Sequence, residues 1–108
     1  GKSDFQSRVD AVLAQHMADE TFNVQDWANL MHMDRTTLFR RLKESTGQPP
    51  ETYLREQRLA QAARLLRERS GNVSEVAVAV GFNSISYFSR CFRAKYGQPP
   101  TAFMQGQT

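Results

Sequence analysis

Arg40 and Arg90 stand in matching surroundings fifty residues apart, each followed by a second base, Lys43 or Arg93, and then by a glycine, Gly47 or Gly97. A guanidinium is a planar fork of donors that suits a carboxylate, a phosphate or the two acceptors on the edge of a guanine, where one such pair discriminates by roughly 1–3 kcal/mol. A base one helical turn further on adds affinity for phosphate without reading sequence. Catalysis is poorly provided for. Cys91 is the single cysteine, His16 and His32 fall at no ligand spacing, and no nucleophile, base and orienting residue can be assembled. There is no glycine loop of the kind that cradles phosphate, and the six glycines are accounted for by termini, turns and helix ends.

The elements that must position these bases are written twice. Residues 24–50 read VQDWANLMHMDRTTLFRRLKESTGQPP and residues 73–100 read VSEVAVAVGFNSISYFSRCFRAKYGQPP. Asn23, Val24, Trp27, Ala28 and Met31 recur as Asn72, Val73, Val76, Ala77 and Val80 at a spacing of 49, whereas Leu38, Arg40, Leu42, Lys43 and Gly47 recur as Phe88, Arg90, Phe92, Arg93 and Gly97 at 50. One extra residue therefore belongs in the second turn. Each copy predicts a short helix with one apolar stripe, a tight turn and a basic second helix, the pattern of a helix-turn-helix. Asn23 with Asp26 and Asn72 with Glu75 are expected to form reciprocal caps, Asp34 and Ser84 to cap the second helices, and Gly47 and Gly97 to stop them in the left-handed conformation. The prolines that follow start the next helix.

On a helix beginning near Arg35, residues Thr36, Phe39, Arg40 and Lys43 share a face opposite Leu38 and Leu42. In the second copy Ile85, Ser86, Ser89, Arg90 and Arg93 form the equivalent stripe, opposite Phe88, Phe92 and Tyr96. Base reading is expected of Arg35, Thr36, Phe39, Arg40, Ile85, Ser86, Ser89 and Arg90, and phosphate contact of Lys43, Arg55, Arg93 and Tyr87. Phe39 and Ile85 fit such a stripe if they meet thymine methyl groups; otherwise they cover the rim of the core. Tyr87 either touches phosphate or packs against the turn.

The chain's 108 residues have room for one domain or two small subdomains sharing a helix. The expected division is a first helix-turn-helix over 1–48, a linker helix within 49–70 and a second helix-turn-helix over 71–108. A first helix over Asp4 to about Met17 carries Phe5, Val9, Val12, Leu13 and Met17 on one face. The linker helix, Glu51 to about Arg69, turns Leu54, Leu59, Ala62, Ala63, Leu65 and Leu66 inward. Its rod of about 28 Å compares with the ~34 Å between successive major-groove faces. Most of its arginines, Arg58, Arg64, Arg67 and Arg69, are expected to be solvated or paired locally, and the two histidines to be ordinary surface residues.

Charge is divided along the chain. Residues 1–34 carry two bases against six acids, and residues 35–108 twelve bases against five acids, for a net +3. A one-sided basic surface is the usual footprint of a nucleic-acid binder, though not unique to one. A lone cysteine excludes an internal disulfide and fits a reducing cytoplasm. No apolar run approaches the ~20 residues that span a bilayer, GKSDF is not a signal peptide, and the leading Gly1 has the look of a cloning remnant on a piece of a longer protein.

GFNSISYFSRCFRAKYGQPP, from Gly81 to Pro100, resembles the signature of the AraC/XylS family of bacterial transcription regulators. The resemblance extends over nearly the whole chain through Trp27-Ala28, Leu38, Arg40, Leu42-Lys43, Gly47, Tyr53-Leu54, Arg58-Leu59 and Leu65-Leu66. It implies an all-α, seven-helix, bipartite DNA-binding domain acting mostly as an activator, without metal or cofactor, and in contact with double-stranded DNA and RNA polymerase. Asp34 stands where the family commonly has serine, which keeps a capping oxygen but puts a negative charge near phosphate. FQSRVDAVL and RRLKESTG look like the version found in hybrid two-component proteins, which implies a sensing or receiver domain elsewhere in the parent. Because the two stripes differ, an asymmetric site is expected. A helical protein-interaction module is the alternative, and an enzyme the least supported reading.

Overall fold

A computed structural model describes residues 4–106, so Gly1 lies outside the described residues. They form seven helices: α1 (Asp4–His16), α2 (Val24–Leu30), α3 (Arg35–Thr46), α4 (Pro50–Arg67), α5 (Val73–Ala79), α6 (Ile85–Tyr96) and α7 (Pro100–Gln105). No described helix is long and apolar enough to cross a membrane.

The predicted signals act at their places. Asn23 accepts from Asp26 N, Asp34 from Thr37 N, Asn72 from Glu75 N and Ser84 from Tyr87 N. Gly47 and Gly97 take φ of 80° and 78°, and their N–H groups donate to Lys43 O and Arg93 O. Pro50 and Pro100 open α4 and α7. One expectation needs correcting. The reciprocal cap is recorded only at α5, where the Glu75 carboxylate also accepts from Asn72 N at 2.9 Å. Asp26, one methylene shorter, accepts no such bond from Asn23 N, so α2 has half the device.

Two apolar cores result. The first gathers Phe5, Val9 and Leu13 from α1, Phe22, Trp27 and Ala28, Met31, Leu38 and Leu42 from α3, and Leu54 from α4. Trp27 is fully buried and its Nε1–H has no hydrogen-bond partner among the described residues. The second gathers Leu59, Ala62, Ala63 and Leu66 from α4 with Val76, Ala77, Val80, Phe82, Phe88, Phe92 and Phe103. Phe82, Phe88, Phe92 and Phe103 form a chain of tilted and edge-on rings with centroids 5.1–5.7 Å apart, the geometry that aromatic quadrupoles favour. The apolar stripe of α4 is therefore shared, its first turns sealing one unit and its remainder the other. Val12 and Met17 of the first helix's predicted face, and Leu65 of α4, are only partly buried but pack against these cores.

The turns differ as the spacing foretold. Four residues, 31–34, separate α2 from α3, and five, 80–84, separate α5 from α6. In both, the residue after the helix cap has positive φ: His32 at 58° and its counterpart Gly81 at 100°.

Candidate nucleic-acid interface

Each second helix buries one face and offers the other. Leu38 and Leu42 of α3, and Phe88 and Phe92 of α6, are buried, while Arg35, Thr36, Phe39, Arg40 and Lys43, and Ile85, Ser86, Arg90 and Arg93, are exposed, with Ser89 half-buried. Phe39 is 51% and Ile85 46% exposed, and neither belongs to the described core clusters. Leaving that much apolar surface in water forgoes the ~25 cal/mol per Å² its burial would return, so the stripe positions hold apolar groups at some cost to stability. Both helices end in bases, Lys43 on α3 and Arg93 with Lys95 on α6.

Several predicted residues converge. Arg35 at the start of α3, Arg55 on α4 and Tyr87 on α6 line one cleft of about 530 Å³ between the units, together with Asn83 of the second turn. Glu20 and Glu51 also line it, so it is not uniformly basic. Arg55, Tyr87 and Arg90 share a neighbouring hollow with Glu56 and Lys95, which pair at 3.6 Å. Arg40, Lys43 and Arg93 do not line that cleft and stand out on their stripes.

Tyr87 packs against the turn, its ring 6.0 Å from Phe82, and it stays 41% exposed. The Arg90 guanidinium lies 5.6 Å above that ring, a cation–π contact that holds the side chain on the outward stripe. Arg40 has no such support, because Thr37 occupies the position equivalent to Tyr87. Asp34 caps α3 through a 2.7 Å bond from Thr37 N. The bonds from Thr37, aided by the charge of Arg40, hold its carboxyl below the usual aspartate range.

Two expectations about residues away from the stripes are corrected. Arg58 is not solvated or locally paired: its Nε donates to Met17 O at 2.8 Å and its Nη2 to Asp19 O at 3.0 Å, tying α4 to the segment between α1 and α2. Burial lowers its guanidinium from the ordinary arginine value, partly offset by the charge of Asp19. His16 is half-buried and stacks on Phe22 at 5.4 Å, so it is not a simple surface residue. Arg64 does pair locally, with Glu68 at 3.9 Å, and both side chains are more than half exposed. Cys91 is half-buried against the second core. Asn83 in the cleft was not singled out from the sequence; its only signal was the extra residue in the second turn.

Similarity to known proteins agrees with this arrangement. Residues 27–106 match the family described as a helix-turn-helix domain. The chain is 36% identical over 104 residues to the HTH-type transcriptional activator RhaS of Escherichia coli, covering 94% of this chain and 37% of that protein. It is 36% identical over 92 residues to histidine kinase P4 of Formosa agariphila, covering 85% of this chain and 7% of that protein. The chain thus spans well under half the length of either relative. Among solved structures, the DNA-binding domain of AdpA, a global transcriptional factor crystallised with a target DNA, superposes with a TM-score of 0.87 at 35% identity, covering 95% of this chain and 92% of that one. The duplicated helix-turn-helix, the seven-helix order and these relatives agree: the chain belongs to the AraC-type helix-turn-helix DNA-binding domains of transcription regulators.

Proposed function

We propose that the domain binds a specific, asymmetric site on double-stranded DNA with α3 and α6 in adjacent major-groove segments, and that it serves activation. The carrying observation is that two helices, capped and stopped alike, present the same stripe positions at a spacing of 50 and, around a shared arginine (Arg40 and Arg90), fill them differently: Arg35, Thr36 and Phe39 against Ile85, Ser86 and Ser89. An 18-residue α4 is a rod of about 27 Å, which lets both helices address one side of a duplex.

Under this reading Arg40 and Arg90 take guanine edges, Arg35, Thr36, Ser86 and Ser89 bond bases nearby, and Phe39 and Ile85 meet thymine methyl groups, which accounts for their exposure. Lys43, Arg93, Arg55 and Tyr87 hold phosphate; the last two sit in the cleft between the units, where the backbone passes from one groove segment to the next. Activation follows the function named for RhaS, and implies a contact with RNA polymerase in the cytoplasm. The greater length of both relatives supports a sensing or receiver domain elsewhere in the parent protein.

Selection from a randomised duplex library at near-physiological salt, followed by sequencing of the bound pool, tests the reading. Two unlike motifs about one helical turn apart are expected. A single short motif would leave one unit as a phosphate clamp, and no enrichment would transfer the stripes to a protein partner.

A further inference from the structure

The second helix-turn-helix touches the first through its turn, at a point held by one arginine. Arg58, in the middle of α4, donates to Met17 O at 2.8 Å, Asp19 O at 3.0 Å and Phe22 O at 3.5 Å, gathering the carbonyls of the segment that joins α1 to α2. Gly81, in the turn between α5 and α6, lies over the same place. A Cβ there would collide with Met17 O and stand 2.8 Å from Arg58 Nε, so the turn approaches as closely as a backbone without a side chain permits. The counterpart in the first unit, His32, is exposed and bears a full side chain at φ 58°, inside the left-handed well that Gly81 at 100° lies beyond. Conformation and close approach therefore both call for glycine at this point, since a side chain would be strained at this φ and would also strike Met17 O.

Packing on α4 alone leaves each unit a degree of roll about that helix, since apolar contacts are not directional. Three directed bonds from a rigid fork, with a backbone seated against it, remove that freedom. We infer that Arg58 and Gly81 form a latch that fixes the orientation of α6 relative to α3, making Arg58 a positioning residue that sets which spacing between two half-sites the domain accepts. This rests on the bipartite reading above. One added base pair turns the second half-site by roughly 34° and moves it by about 3.4 Å, a displacement that a latched pair of helices cannot follow.

Two measurements test it. In the first, dissociation constants are compared for duplexes with both selected motifs at the selected spacing, one base pair shorter and one longer, and for a single motif. The wild type should prefer the selected spacing by about tenfold or more, the loss of roughly one charge-assisted hydrogen bond. Arg58→Gln should bind the single motif as the wild type does but hold the three spacings within about threefold of one another. Arg58→Lys, which keeps stem and charge and reaches one carbonyl at a time, should fall between and guards against a glutamine variant that does not fold. A uniform loss at all spacings would mean that Arg58 only stabilises the fold, and would overturn the inference. The second measurement uses no DNA: distances between spin labels at Glu44→Cys and Ala94→Cys in a Cys91→Ser background should be narrowly distributed in the wild type and broad with Arg58→Gln. An unchanged narrow distribution would overturn the latch, whereas a single selected motif for the wild type would overturn the bipartite reading and leave this distance to judge the latch.

Discussion

The two helix-turn-helix units are built from one plan and differ where they meet each other. Both cap the second helix with a side-chain oxygen, stop it at a left-handed glycine and restart the chain at a proline. The first closes its core on Trp27 among aliphatic side chains with Phe5 and Phe22, the second on a run of four phenylalanines. The first has a four-residue turn with exposed His32, the second a five-residue turn with Gly81 seated on Met17 and Arg58. A duplicated unit can keep its local rules and still be specialised, because the rules act within each copy and the demands of contact fall on only one. That asymmetry is what the proposed reading of two unlike half-sites requires.

The largest effect should come from Gly81, set against its counterpart His32. Gly81→Ala puts a Cβ onto Met17 O at φ 100°, so strain and collision act together; a loss of about 3 kcal/mol or more is expected. His32→Gly relieves a residue at φ 58° but loosens the unfolded chain, and should change stability by no more than about 1 kcal/mol. Urea denaturation of both variants decides the matter. Similar small effects would mean that the second turn moves off the first unit at little cost.

Next come the paired arginines. Arg40→Ala and Arg90→Ala should each relax preference at one or two base pairs by about 1–3 kcal/mol, in different half-sites, whereas Lys43→Ala should weaken every sequence alike and reduce the salt slope by about one. Tyr87→Leu sharpens the contrast. It removes the ring under Arg90, so discrimination in the second half-site should fall by a few-fold, about 0.5–1 kcal/mol, with the first half-site unaffected. Competition binding against specific and random duplex measures each. Equal losses on both duplexes for Arg90→Ala would remove it from base reading.

Much of this was legible in the sequence because it depends on short-range rules. Asn72 with Glu75, Asp34, Ser84, Gly47 and Gly97 act on backbone groups within four residues, so their types and spacing determine what they do. Leu38 and Phe88 declare their burial through helical period alone. What could not be read is long-range: Arg58 reaches carbonyls 36 to 41 residues away, and although Arg58-Leu59 is part of the family resemblance, nothing in the period of its helix says what its guanidinium meets. His16 is hidden by Phe22 across a turn of no regular period. The convergence of Arg35, Arg55 and Tyr87 on one cleft depends on how the two units sit on α4. The inserted turn residue was visible, but its use was not, since that lies in the contact it allows.

The smallest expected effect isolates the one charge by which the two caps differ. Asp34 and Ser84 do the same work for α3 and α6, but only Asp34 titrates. Its carboxyl is held below the usual range, chiefly by bonds from Thr37, so its contribution to stability is complete above the unfolded carboxyl's range and is lost as pH falls through the lowered native value. Asp34→Ser should therefore lose less stability than the wild type on acidification. Asp19, also lowered through bonds from Thr21, is common to both proteins and cancels in the difference. The same charge should repel a phosphate at the start of α3, so Asp34→Ser should bind duplex DNA about two- to threefold more tightly at low salt, with the gain fading as ions screen it. Ser84→Asp should do the reverse at α6. If both exchanges leave affinity unchanged at low salt while the pH difference persists, the start of α3 lies away from the DNA backbone, and the first unit would enter its groove by the middle of its stripe, through Phe39, Arg40 and Lys43.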